Sequence, residues 1–279
     1  MELKLFKTLW GHRGSLEQAI GQATQANMQG IEGPAPSDAS SRRIFGEQLD
    51  ANGLGYIAEI TTAGSYVPDR NASLSDHLAS FGEKLHHSLE LEPIFITCLG
   101  GCDAWPESQS IDFFCSAMEL AHTNNVTVSF ETHRGRSFFN PWVTKRIVEQ
   151  VPAIKLTCDF SHWCVVCERL MDSEIDVIKG ISSHAHHIHA RVGYDQGPQV
   201  PHPAAPEYRD ALHAHQQWWE ILWQAQREQG YMVSTMTPEF GPDGYLHEIP
   251  FKREPVADLW ELNCWMANEE RRHYQAVMR

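Results

Sequence analysis

The chain of 279 residues contains neither G-x-G-x-x-G nor a P-loop, so nothing in it supports a nicotinamide or nucleoside triphosphate cradle. No stretch approaches the roughly 18 apolar residues of a membrane span. The opening Met-Glu-Leu-Lys-Leu-Phe-Lys lacks the apolar core of a secretion signal. A cytoplasmic protein with no membrane partner is expected. Positive charge is scarce: 22 Lys and Arg against 36 Asp and Glu leave a formal net charge of -14. That balance argues against a sequence-independent hold on nucleic acid or an anionic bilayer, both of which need a basic surface. The expected partner is a small molecule. The 7 cysteines are odd in number and spread among apolar positions such as Cys98, Cys115, Cys158 and Cys264, which reads as reduced thiols rather than a disulfide framework. Cys164 and Cys167 form a C-x-x-C, but no second pair follows at zinc-ribbon spacing.

What is present is ample core, with 42% hydrophobic and 21% charged residues, and a repeating alternation of strand-like and helix-like stretches. Leu3 to Trp10 alternates as a strand, and Ser15 with Gln18 makes a capping box before Leu16, Ile20 and Ala23. A short Gly/Pro-bounded strand carrying Glu32 precedes a helix from about Ser40 to Asn52 with Ile44 and Leu49 facing inward. Gly55 to Thr62 is a third strand, and Ser73 with Asp76 opens the next helix. Ile94 to Leu99 runs into Gly100-Gly101, and Asn140-Pro141 reads as an N-cap with proline at the first helical position. Further on, a helix is expected between Asp172 and Ser182, a strand over His186 to Val192, and a long helix over Asp210 to Gln229. An eighth strand reaches Glu239, and Pro255 is expected to start the last helix. The loop from Gly193 to Pro206 is long enough to suggest a lid. The tryptophans of the last two helices read most simply as shell packing, with a homo-oligomer contact as the alternative. Eight β units, each followed by a helix-length stretch, predict an α/β protein: one (β/α)8 TIM barrel spanning residues 1–279 as a single domain.

Four strands end in functional groups. Val126, Val128 and Phe130 lead to Glu131-Thr-His133-Arg134; Lys155 to Cys158 leads to Asp159 and His162; His187-Ile-His189-Ala-Arg191 and Met232 to Glu239 repeat the design. Glu131, Asp159, His189 and Glu239 would then lie on neighbouring strand ends. Three carboxylates and an imidazole cannot share a water-poor pocket without positive charge, because like charges raise one another's pKa. A divalent cation resolves the conflict, and an oxygen-rich set with one nitrogen favours Mn²⁺, Mg²⁺ or Co²⁺, with Zn²⁺ as a further candidate. His187 and His189 share a strand face, so periodicity does not choose between them; His189 is favoured as nearer the strand's C-terminal end. His133, Arg134 and Arg191 suit an anionic substrate group, or else neutralise the site's own carboxylates.

Glu131 after strand five, Asp159-x-x-His162 after strand six, His187-x-His189 on strand seven and Pro238-Glu239 after strand eight resemble the xylose-isomerase-like barrel superfamily. That group includes ketose 3-epimerases, hydroxypyruvate isomerase, inosose dehydratase and the apurinic endonuclease branch. The resemblance covers nearly the whole chain in strand order. It implies Glu131, Asp159, His189 and Glu239 as metal ligands, with Glu131 and Glu239 doubling as the catalytic acid/base pair and His162 contacting a substrate oxygen. A metal-dependent sugar or sugar-acid isomerase or epimerase follows, acting through an enediolate. A dehydratase on the same site is the first alternative and a non-catalytic sugar-binding barrel the second. Two departures qualify the resemblance. The extra histidines of the endonuclease branch are missing after Glu32 and around Thr61 to Ser65, and Arg191 stands where the ketose epimerases carry an acidic sugar-binding residue. The expected substrate is a sugar, sugar acid or sugar phosphate.

Overall fold

A computed structural model describes residues 1–242 and 244–279. Eight strands, all parallel, close into a barrel in sequence order: β1 (Glu2–Thr8), β2 (Gly30–Gly33), β3 (Gly55–Thr61), β4 (Phe95–Leu99), β5 (Val128–Glu131), β6 (Lys155–Cys158), β7 (Ala185–Ala190) and β8 (Val233–Pro238). The helices between them are α1 (Leu16–Gln25), α2 (Ala39–Ala51), α3 (Leu74–Leu89), α4 (Glu107–Thr123), α5 (Pro141–Gln150), α6 (Ser161–Cys167), α7 (Ile175–Ile181) and α8 (Arg209–Glu228). A two-stranded ribbon, β9 (Glu248–Ile249) with β10 (Glu254–Pro255), precedes the closing helix α9 (Leu259–Val277). The (β/α)8 barrel expected from the repeat is the fold observed.

Local chemistry places the helix starts as expected at three positions. Ser15 and Ser73 each form the full capping box, and the Asn140 side chain accepts from the Val143 amide with Pro141 at the first turn. Two expectations fail by short distances. Ile44 is 45% exposed and Phe45 takes the inward place, because one residue on a helix turns the side chain by about 100°. Pro255 belongs to the ribbon, and the last helix starts at Asp258, whose carboxylate caps the Glu261 amide at 2.9 Å. The stretch from Asp172 to Ser182 is a 3₁₀ turn running into α7, and the short α6 lies ahead of it. Trp218, Trp219 and Trp223 are fully buried against the outside of the barrel.

The inside of the barrel is layered. At the bottom Phe6, Ile57 and Phe95 form their own apolar cluster. Above them hydroxyls pair across strands, Thr97 to Thr157 at 3.0 Å and Ser129 to Thr157 at 2.6 Å. Inward positions repeat every second residue, so the next places up on the same strands belong to Glu32, Glu59, Glu131, Asp159, His189 and Glu239. The polar layers stand at the C-terminal end, where barrels of this kind carry their chemistry.

Candidate functional site

His189 is the hub. Its Nε2 lies 3.0 Å from Glu32 Oε1, while Nδ1 faces the other way, 3.0 Å from Glu239 Oε2 and 3.6 Å from Glu131 Oε1. His187, one inward position lower, meets Glu32 Oε2 through Nε2 at 3.1 Å and Thr235 Oγ1 through Nδ1 at 2.8 Å. Glu32 therefore bridges both imidazoles from below. Burial alone would raise its pKa, but the two histidines override that and hold it well below the usual carboxylate range. An ionised Glu32 accepts Nε2–H from His189 and leaves Nδ1 to point at two carboxylates.

That arrangement tests the fit to a metal. Among the described residues His189 Nδ1 is a buried nitrogen without a hydrogen-bond partner, and a lone pair aimed at two carboxylates is repulsive unless a cation intervenes. In the ion-free protein the cation is a proton: burial opposes it, but Glu239, Glu32 and Glu131 outweigh burial and raise the His189 pKa well above its ordinary value. Ligand atoms of Glu131, Asp159, His189 and Glu239 all lie within 4.8 Å of one another, so a divalent ion could take the proton's place. Asp159 is the most engaged of the four. Its Oδ1 accepts from the Ser161 amide at 2.9 Å and hydroxyl at 2.5 Å, and its Oδ2 is paired with Arg191 Nη2.

Arg191 is fully committed to the site's own groups. Beyond Asp159 it reaches Ser161 Oγ at 3.1 Å, His162 Nε2 at 2.7 Å and the Glu239 carbonyl at 3.4 Å, with its guanidinium lying over the Tyr245 and Trp10 rings. Of the two readings of the arginines, neutralisation of the site's carboxylates describes Arg191. Arg136, on the same loop as His133, is also internal: it donates to the carbonyls of Thr62, Ser65 and Gly101 and ties the ends of β3, β4 and β5 together.

A cavity of about 320 Å³ opens above these groups, within the range of small-ligand pockets. Glu59, Glu131 and Glu239 line it together with His133, Arg191 and Tyr245. Asp159 and His189 sit behind this lining. His162 packs behind His133 with its ring tilted and 3.9 Å between centroids, and Arg134 lies over the Tyr245 ring. Burial and neighbouring cations push both His133 and His162 well below their ordinary pKa, so both are neutral hydrogen-bonding groups. Burial, then Glu239 and Asp159, raise Glu131 to about 7 against the pull of His189. Glu59, on β3, is raised to about 8 by burial and by Glu239, Glu131 and Glu32. No residue of the loop from Gly193 to Pro206 lines the cavity; Gln199 instead exchanges two hydrogen bonds with the Gly241 backbone, at 2.8 and 3.2 Å.

No protein-family model and no curated protein matches the sequence. Solved structures do match. The D-allulose 3-epimerase of Methylomonas sp., solved in complex with D-allulose, has a TM-score of 0.66 at 11% identity over 98% of each chain. Endonuclease IV of Thermus thermophilus has a TM-score of 0.62 at 12% identity over 99% of this chain and 100% of that one. The IOLI protein, solved with a bound zinc atom, has a TM-score of 0.63 at 12% identity over 99% of this chain and 98% of that one. The chain shares the (β/α)8 barrel fold of these three proteins.

Within this barrel, the four residues expected at neighbouring strand ends stand in one cluster. Two members of the polar layer were not anticipated as site residues, Glu32 and Glu59. The signal for both was local. Strands of a parallel barrel are covered on both faces and read as apolar runs, so a glutamate inside Gly-Ile-Glu-Gly or Tyr-Ile-Ala-Glu-Ile-Thr needs a partner or a ligand.

Proposed function

We propose that this barrel is a divalent-metal-dependent sugar isomerase or epimerase that moves a proton on the carbon beside a carbonyl. The observation that carries the reading is the pair of carboxylates, Glu131 and Glu239, flanking the unpartnered Nδ1 of His189 at the floor of a sugar-sized cavity. Glu131, Asp159, His189 and Glu239 would hold the ion, with Mn²⁺, Mg²⁺ or Co²⁺ suited to three carboxylates and one imidazole and Zn²⁺ also accommodated. When bound, the ion would polarise adjacent carbonyl and hydroxyl oxygens and so acidify the C–H between them. Glu131 and Glu239, on either side of the His189 Nδ1, would remove and return the proton as an acid/base pair. Burial raises the Asp159 pKa and Arg191 opposes that rise while fixing the carboxylate in place; neutral His133 and His162 order the hydroxyl-binding wall.

The charge of the cavity favours an uncharged sugar over a sugar acid or phosphate. Glu131 and Glu239 line the cavity, the guanidinium of Arg191 is engaged by Asp159, Ser161 and His162, and the Lys84 ammonium is turned to the carbonyl and hydroxyl of Thr61. A dehydratase is the second reading, favoured by Glu59. A carboxyl raised to about 8 is protonated at neutral pH and can protonate a departing hydroxide.

The test is metal content and calorimetric Mn²⁺ titration of the purified protein beside Glu239→Gln, followed by incubation with neutral ketoses in deuterated water. Stoichiometric binding that weakens in the variant, with deuterium appearing at one carbon, supports the isomerase. A product that has lost water selects the dehydratase. Metal and sugar binding without any exchange would leave a sugar-binding barrel, and no divalent binding in either form would overturn the metal-dependent mechanism.

A further inference from the structure

A second cavity lies apart from the first and shares only Trp10 with its lining. It measures about 680 Å³ and is enclosed by the β1–α1 loop, α1, the segment after β8 and the start of α9. Lys7 stands in its wall. Because Phe6 and Thr8 face into the barrel, Lys7 points outward, under α9, and is only 5% exposed. Its ammonium has one hydrogen bond, to the Thr8 carbonyl at 3.3 Å, and rests 4.3 Å from the centroid of the Trp260 ring.

Among the described residues no carboxylate lies within 4.0 Å of this ammonium, although acidic residues far outnumber basic ones in the chain. A buried lysine is ordinarily paired, since an unpaired buried charge is expensive. Among the described residues the one acidic residue in the lining is Asp258, whose carboxylate already caps α9. Arg13 stands at the rim as a second cation, with His12 beside it, and Cys264 on α9 is the remaining titratable neighbour of Lys7. The lining is thus cationic against the trend of the whole molecule, with indole faces from Trp10 and Trp260.

We propose that this cavity is a second binding site for a small oxyanion, a phosphate or carboxylate group, which supplies the counter-charge that Lys7 lacks among the described residues. The proposal is independent of the metal site. The Lys7 amine, lowered to about 8 by burial against a smaller raising effect of Cys264, is about half neutral at pH 8. An anion bound beside it would raise that value and draw a proton from solution.

Full-length protein is titrated by calorimetry at pH 8 with inorganic sulfate, a tetrahedral dianion, and separately with malonate, a dicarboxylate. Both probes stay fully ionised at that pH. Two buffers of different ionisation enthalpy report proton uptake. Saturable binding of either probe with uptake of about half a proton is expected, roughly tenfold weaker in Lys7→Met, weakened several-fold in Arg13→Gln, and unchanged in Glu239→Gln. Sulfate preference assigns a phosphate-type ligand and malonate preference a carboxylate. If Lys7→Met fails to fold, acetylation of the wild-type amine mapped by mass spectrometry replaces it: the bound probe should slow labelling at Lys7 and leave exposed lysines unchanged. Absence of saturable binding, equal binding in Lys7→Met, or labelling indifferent to the probe would overturn the proposal.

Discussion

Glu59 gives a quantitative handle on the cavity. Its carboxyl rises from 4.5 to about 8 in the folded chain, with burial as the main cause and the carboxylates of Glu239, Glu131 and Glu32 adding to it. The sign follows from proton counting. Between those values the folded state holds a proton that the unfolded state has released, so stability falls as pH rises from about 4.5 and the loss is complete above about 8. At about 1.4 kcal/mol per pH unit the interval sets a ceiling of ~5 kcal/mol. Glu59 is only half-buried and lines a cavity open to water, which lowers the effect to about 1–2 kcal/mol between pH 6 and pH 8.5. Glu59→Gln removes the titration while keeping shape and hydrogen bonding. Thermal unfolding of the metal-stripped protein, followed by circular dichroism in chelator at both pH values, should show wild type losing about 2–5 °C more than the variant across that interval. Glu270, also raised but on α9 with Gln216 as its partner, contributes the same slope to both proteins and cancels in the comparison. Equal pH dependence in the two would mean that Glu59 is ionised in the folded protein, and the dehydratase reading would lose its proton donor.

Two further substitutions probe the groups behind the cavity. Glu32→Gln removes the charge that fixes His189, and Mn²⁺ affinity measured by calorimetry should fall about 10–100-fold, the usual effect of losing a carboxylate that orients a metal-binding histidine; unchanged affinity would refute the bridging role. Arg191→Met leaves Asp159 buried with only Ser161 to satisfy it, and the urea midpoint of the metal-free protein should fall by the equivalent of about 3–5 kcal/mol. A smaller loss, restored by adding Mn²⁺, would show that the ion substitutes for the guanidinium.

The eightfold alternation was legible because each strand is short, turn-bounded and followed by a capped or apolar-faced helix. The four strand-end residues were legible for a related reason: functional groups clustered directly after β-favouring runs stand out against the apolar pattern before them. Glu32 and Glu59 each stand alone in an apolar strand with no second functional group beside them, and although such a glutamate flags itself locally, no local pattern shows that its inward parity raises it to the layer of Asp159, His189 and Glu239. Choosing between His187 and His189 likewise needed the third dimension. Both face inward, but only His189 reaches the height of Glu131 and Glu239, while His187 is held below by Glu32 and Thr235. The role of Arg191 depended on Asp159 lying against it across neighbouring strands, a contact that no spacing along the chain encodes. The shifted faces and starts, Phe45 for Ile44 and Asp258 for Pro255, arise where one residue or one intervening ribbon changes phase.

The exchange of hydrogen bonds between Gln199 and Gly241 couples two segments that a sequence would treat as separate appendages. Gly241 sits two residues beyond Glu239, and a Cβ there would fall 1.9 Å from the indole of Trp10. The glycine is therefore gripped from both sides, by an amide from the loop after β7 and a ring from the loop after β1. Remodelling either loop to admit a different substrate would shift the backbone that aims the Glu239 carboxylate. In this barrel the rim is not a set of interchangeable parts, and selection for new specificity would have to move three loops in concert or leave that joint untouched.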